Sequence, residues 1–206
     1  MKKKIITITV CLLIAGSIGI VLANNKSKID IIPPKDFWIG SADAPVSLVM
    51  FGDYESEACA EAHEVVKKLL SQYEGRLKFN YRHFPLTLIH QKAHKAAEAA
   101  IAVAQHGKFW EMHDLIFHNR RNLGSISLRD YAIEAGMKDK NFLPKLTDSV
   151  FGWTVRNDLL EGLDKGVRDV PAFFINNARF TETPTFKNLS RAIDELLKNF
   201  PSKLRA

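Results

Sequence analysis

The apolar pattern of this 206-residue chain predicts a mixed α/β fold interrupted by a block of helices. Three observations carry that expectation. A short apolar run at 46–51, an amphipathic stretch from residue 57 and an alternating run at 77–84 read as a β-α-β unit. Helical periodicity then fills residues 85–166, and the chain closes with a hairpin and one more amphipathic helix. A right-handed crossover makes the first two strands parallel, and the hairpin makes the sheet mixed.

Each element follows from its residues. Val46-Ser47-Leu48-Val49-Met50-Phe51 is nearly all apolar, as suits a central strand covered on both faces. The helix from about Glu57 is expected to turn Ala58, Ala62, Val65, Val66, Leu69 and Leu70 inward, and Gly75 supplies its stop. Residues 77–84 alternate as a strand does, and Pro85 ends it. Within the helical block, stretches at 91–106, 108–118, 127–135, 140–150 and 154–165 are expected, with Ser127 as an N-cap. Strand character returns at 171–175, Asn176-Asn177 is a two-residue hairpin turn, and a helix over 186–200 buries Leu189, Ile193, Leu196 and Leu197.

The ends are of another kind. Lys2, Lys3 and Lys4 precede an uncharged apolar run at 5–23 that closes on Val21-Leu22-Ala23. Residues 1–23 thus read as a signal peptide cut after Ala23 or, uncut, as an N-terminal membrane anchor. Either way the remainder is expected outside the cytoplasm, periplasmic or otherwise extracytoplasmic. Residues 24–43, polar and with Pro33-Pro34, read as a tether with an extended piece near 29–32; residues 44–200 form the domain, and 201–206 a tail. The formal charge is +6, half of it from the three leader lysines. No basic-aromatic stripe accompanies it, so nucleic acid is not an expected partner.

Of the two cysteines, Cys11 falls in the leader, and an exported chain keeps Cys59 alone. No intramolecular disulfide can then form, and Cys59 is either buried and inert or a free reactive thiol. It follows Phe51-Gly52-Asp53-Tyr54-Glu55-Ser56-Glu57-Ala58, where a strand turns into a helix. A helix N-terminus there lowers a thiol's pKa. Against activation stand Asp53, Glu55, Glu57, Glu61 and Glu64, with no Lys or Arg before Lys67. His63, one turn on, offsets them only if protonated and on the same face. Cys59 is therefore expected to be structural, and Ser56 an N-cap.

With these residues in view, the chain resembles the DsbA-like branch of the thioredoxin superfamily. Ser56-Glu57-Ala58-Cys59 occupies the family's C-P-x-C frame, and Lys108-Phe109-Trp110-Glu111-Met112-His113-Asp114 resembles a motif of its helical insertion. Val167-Arg168-Asp169-Val170-Pro171-Ala172-Phe173-Phe174-Ile175-Asn176 resembles its cis-proline loop and strand. The resemblance implies a thioredoxin-like α/β fold with a mixed β-sheet and an inserted helical domain, and descent from thiol-disulfide oxidoreductases. It also implies that Val170 and Pro171, with His63 nearby, help to bind an extended polypeptide or a thiol-bearing protein partner. Ser56 stands where the attacking cysteine belongs. A hydroxyl stays protonated at neutral pH, so two-cysteine exchange is expected to be lost and a binding or chaperone-like role to remain.

Other readings of the same residues are weaker. Cys59 as a monothiol, or Ser56 holding a glutathione thiolate as in kappa-class glutathione transferases, would make glutathione a ligand; otherwise no cofactor is expected. Ser56 as a hydrolase nucleophile lacks the flanking glycines of a nucleophile elbow. His90 and His94 share a helical face, but no metal signature surrounds them, and no metal is expected.

Overall fold

The computed structural model describes residues 37–200. The leader, Cys11, the extended piece expected at 29–32 and the tail at 201–206 lie outside the described residues. A five-stranded sheet in the order β1-β3-β2-β4-β5 forms the centre. Its strands are β1 (Trp38–Gly40), β2 (Val46–Gly52), β3 (Leu77–His83), β4 (Ala172–Ile175) and β5 (Ala178–Arg179). β2 and β3 run parallel, whereas β1 pairs with β3, and β4 with β2, antiparallel. The sheet is mixed, its crossover pair parallel and its hairpin strands antiparallel, as expected.

β1 corrects the reading of residues 24–43 as a tether whose extended piece lies near 29–32. Phe37 is buried and stacks on Phe109 at 4.3 Å between ring centroids, and Trp38 lies under the Lys78 ammonium. Three residues with no period of their own become a strand because β3 offers them an unpaired edge.

Helix α1 (Glu57–Gln72) joins β2 to β3. Its buried face is Cys59, Ala62, His63, Val66 and Leu69. Ala58, expected inside, is exposed, and Val65 and Leu70 are only half-buried. The packed stripe is rotated by one residue so that the thiol and the imidazole, not Ala58, enter the core. Gly75, at φ +73°, lets the chain turn from α1 into β3.

The insertion holds α2 (Ala93–Ala104), α3 (Phe109–His118), α4 (Ser125–Glu134), α5 (Phe142–Thr147) and α6 (Gly152–Asp164). The alanines of α2 are buried on every side because α3, α4, α5 and α6 all pack on it, and only a small side chain allows that approach. Ser127 does not cap α4; Gly124 holds the N-cap position, and the Ser127 hydroxyl bonds Asn122 instead. Gly162 lets α6 close onto the sheet, since a Cβ there would meet Phe84 at 2.6 Å and Phe51 at 3.0 Å. Asn176 and Asn177 both take positive φ, as a two-residue hairpin between twisted strands demands. Finally α7 (Phe186–Lys198), capped by Thr185, packs Leu189 and Ile193 against α1 and β2.

Candidate functional site

The site is the turn between β2 and α1. Ser56 is its N-cap residue, extended in backbone, and its Oγ accepts the Cys59 N–H over 3.3 Å. Three residues upstream of that cap the chain is fixed by Asp53. Its carboxylate accepts the N–H groups of Glu55 and Leu86, both at 2.7 Å, and contacts His90 Nδ1 at 3.0 Å. Glu55 in turn accepts the Lys92 N–H. The acidic residues thus staple the 86–92 loop to the corner.

Ser56, although it stands at the helix start, retains only 7% of its accessible surface. Cys59 has none. Its Sγ accepts the Asp53 N–H over 3.4 Å. Burial pushes the thiol up to about 11; the Ser56 hydroxyl and the Asp53 N–H pull the other way, and the charges of Asp53 and Asp169 raise it further. Acidic neighbours are the cause of a reluctant thiol that the sequence alone suggests. Loss of solvent is the larger cause, with acidic charge secondary.

The β2–β4 register pairs Phe51 with Ala172, which sets Pro171 level with Gly52 at the start of the same turn. The Val170–Pro171 peptide is cis. Ala58, Glu61, Ala62 and Val65 of α1 and Asp169, Val170 and Pro171 of the loop line a groove of about 820 Å³, together with residues 179–186. The structure therefore brings Ala58 of the S-x-x-C frame together with Val170 and Pro171. His63 does not join them. It turns toward α3, where its Nε2 meets Asp114 at 3.0 Å and its ring stacks on Phe117. His63 holds the Asp114 carboxyl below the usual carboxylate range. Its sequence position suggested a place beside the thiol; Asp114, far away in sequence, draws it elsewhere.

A polar cluster lies beneath the corner. The Tyr54 hydroxyl and His113 Nδ1 share a hydrogen bond of 2.9 Å, and the rings of Tyr54, Tyr81, His83 and His113 pack on one another. Burial keeps both histidines neutral: His83 is pushed down to about 3, and His113 lies well below its ordinary value. Beside them the buried Arg82 binds Asp158 and Glu161, and Asp158 also accepts the His83 N–H. Desolvation raises the Asp158 carboxyl to about 6 against the pull of Arg82. His90 and His94 have different partners, Asp53 and Glu98, so they form no joint ligand pair.

Sequence reasoning gave Asp53 and His90 no structural role. The Asp53-to-Glu55 bond is an Asx-type turn, a signal the sequence offered. Nothing local announced the bonds to Leu86 and His90.

The family model described as "Thioredoxin" matches residues 33–195. The chain belongs to the thioredoxin family. Among solved structures, this thioredoxin-family chain is similar to BdbD from Bacillus subtilis, with a TM-score of 0.73 and 21% identity over 79% of this chain and 92% of that one. It is also similar to the thiol-disulfide exchange protein alpha-DsbA2 from Wolbachia pipientis, with a TM-score of 0.67 and 23% identity over 77% and 86% of the two chains. Both likenesses show the fold, which is the DsbA-like one. Among curated relatives, a Na(+)/H(+) antiporter NhaA 1 of Salinispora arenicola is 34% identical over 162 residues, 78% of this chain and 24% of that protein. Another protein of that name, from Mycolicibacterium vanbaalenii, is 30% identical over 164 residues, 79% of this chain and 27% of its own. The thioredoxin-family chain thus spans about a quarter of the length of the curated relatives it matches. None of the described helices is long and apolar enough to cross a membrane.

Proposed function

We propose that this chain is an exported thioredoxin-family protein that has lost two-cysteine exchange and binds an extended polypeptide, or a thiol-bearing partner, in the groove between α1 and the Val170–Pro171 loop. One observation carries the reading: the sulfur at the corner, Cys59, is fully buried, while the outer position of the frame is a serine engaged as a helix cap. Exchange needs an exposed thiolate to attack a disulfide and a second sulfur to release the mixed disulfide. Ser56 cannot do the first. Cys59, with its thiol pushed to about 11, has no access to do it in its place.

What remains suits binding. Val65, Val170, Pro171 and Phe186 give the groove an apolar wall, and Glu61, Asp169, Arg179 and Glu182 supply polar groups at its margins. The lysines at 2–4 and the apolar run at 5–23 support export and a setting at a membrane. The antiporter names of much longer relatives agree with such a setting. Glutathione held by Ser56 is the competing ligand. The burial of that hydroxyl and its interaction with Cys59 speak against it.

Insulin reduction by the native chain and by Ser56→Cys tests the proposal. The native chain is expected to give no turnover and the variant a measurable gain. Turnover by the native chain overturns the reading, as does thermal stabilisation of the native chain by glutathione at millimolar levels.

A further inference from the structure

Phe186, at the start of α7, is a wall of two hollows. One is the groove beside Pro171. The other is an open basin of about 930 Å³, lined by α7 and by Arg76 from the turn between α1 and β3. The Glu182–Arg191 ion pair spans the two, since Glu182 lines the groove and Arg191 the basin. The free charge of the basin has one sign. Its own carboxylates are engaged: Asp194 accepts the Tyr73 hydroxyl over 2.9 Å, and Glu195 lies 3.7 Å from Arg191. Among the described residues, Arg76, Lys187 and Lys198 have no carboxylate within ion-pair distance. The Arg76 guanidinium lies over the Tyr73 ring, 5.3 Å from its centroid, which holds it in place and leaves its N–H groups unused. A further donor is buried. Ser190 lines the basin with only 9% of its surface exposed, and its hydroxyl has no hydrogen-bond partner among the described residues. A buried hydroxyl without a partner is costly, so an acceptor that enters the basin gains from meeting it.

We propose that the basin takes an acidic segment of the same extended polypeptide that occupies the groove, with the chain passing over Phe186. This rests on the groove reading above and adds a sequence requirement to it. Lys187, Arg191, Asp194 and Lys198 recur at intervals of four, three and four residues on one stripe of α7. Lys187 and Lys198 are thereby about 16 Å apart along the helix, the span of about five residues of extended chain. A strand of that length with Glu or Asp at alternate positions turns its carboxylates to one face, toward these cations and the Ser190 hydroxyl. Charge also sets the register. Glu61 and Asp169 border the groove and repel an acidic stretch, so that stretch is placed beyond Phe186 and the apolar one beside Val65 and Pro171. The shared wall at Phe186 favours one continuous polypeptide over a separate anion.

The test measures fluorescence anisotropy of labelled peptides with the full chain in non-ionic detergent. One peptide joins a run of Val, Ala and Thr to a stretch alternating Glu and Ser; a second carries Gln for every Glu, and a third Lys. The Glu peptide is expected to bind about tenfold more tightly than the Gln peptide at low salt, an advantage that shrinks at high salt. Arg76→Gln with Lys187→Gln is expected to remove most of that advantage at an unchanged melting temperature. Lys187→Glu with Lys198→Glu is expected to reverse it in favour of the Lys peptide, a gain that a misfolded chain cannot give. Equal binding of the Glu and Gln peptides, both displaced by Ala58→Trp in the groove, overturns the inference and leaves the groove reading standing. Binding of neither peptide overturns both. Equal affinity for the isolated Glu-Ser stretch and for the whole peptide, with inorganic phosphate displacing each, makes the basin a separate anion site and also overturns the inference.

Discussion

The backbone N–H of Asp53 points at Cys59 Sγ over 3.4 Å, so the last sulfur of the site is held by the turn rather than offered by it. The same Asp53 fixes the neighbouring loop through its carboxylate. Cap, thiol and loop are therefore one hydrogen-bonded unit, and the consequences can be measured residue by residue.

Ser56 acts first as a cap. Ser56→Ala removes the acceptor of the Cys59 N–H, which is expected to cost about 1 kcal/mol and to lower the melting temperature by roughly 2–4 °C. Ser56→Thr keeps the acceptor and should recover most of the loss. Equal melting temperatures for the native chain and Ser56→Ala, by calorimetry, would remove the capping role.

Acid should unfold this protein through its buried imidazoles. His83 stays neutral in the fold down to about pH 3, whereas the unfolded chain protonates it near 6.5. Its contribution to stability is thus complete above pH 6.5 and declines as the pH falls toward 3, by about 1.4 kcal/mol per pH unit. His113, also depressed by burial, adds a decline of the same sign. Neither ring nitrogen of His83 has a hydrogen-bond partner among the described residues, so His83→Leu is expected to be neutral or stabilising at pH 7 and to flatten the acid slope. Urea unfolding of both chains between pH 4 and pH 7 measures this, and parallel slopes would contradict it.

Packing at Gly162 is tight enough to decide a sign. Alanine there gains up to about 1 kcal/mol of helix propensity but drives a methyl into the Phe84 and Phe51 rings, an overpacking cost of about 1–3 kcal/mol. Gly162→Ala is therefore expected to destabilise. Gly124→Ala meets open space and loses only glycine's N-cap preference, so it should cost less than Gly162→Ala. Denaturant midpoints of the two variants distinguish them.

Much of this architecture was legible in the residues, and the parts that were not share a cause. The β2-α1-β3 unit, the hairpin at Asn176-Asn177 and the alanine-rich helix follow from patterning and turn chemistry that each segment carries itself. β1 did not, because Trp38-Ile39-Gly40 is a strand only by virtue of the β3 edge. The turn around Ser56 was hidden because Asp53 and Glu55 set it through partners distant in sequence, at Leu86, His90 and Lys92. His63 was misplaced for the same reason: Asp114 on α3 decides where the ring goes. The S-x-x-C frame announced the chemistry that was missing, whereas the burial of its sulfur had to come from the fold.

The most direct check on the buried, unreactive thiol is the rate of Cys59 alkylation by iodoacetamide as a function of pH. A thiol shifted from 9.0 to about 11 holds about 100-fold less thiolate at pH 8, and burial slows the attack further. The expected profile is slow at neutral pH and still rising at pH 10. A plateau reached below pH 8, with a rate like that of a free cysteine, would mean an exposed and activated sulfur and would contradict the account.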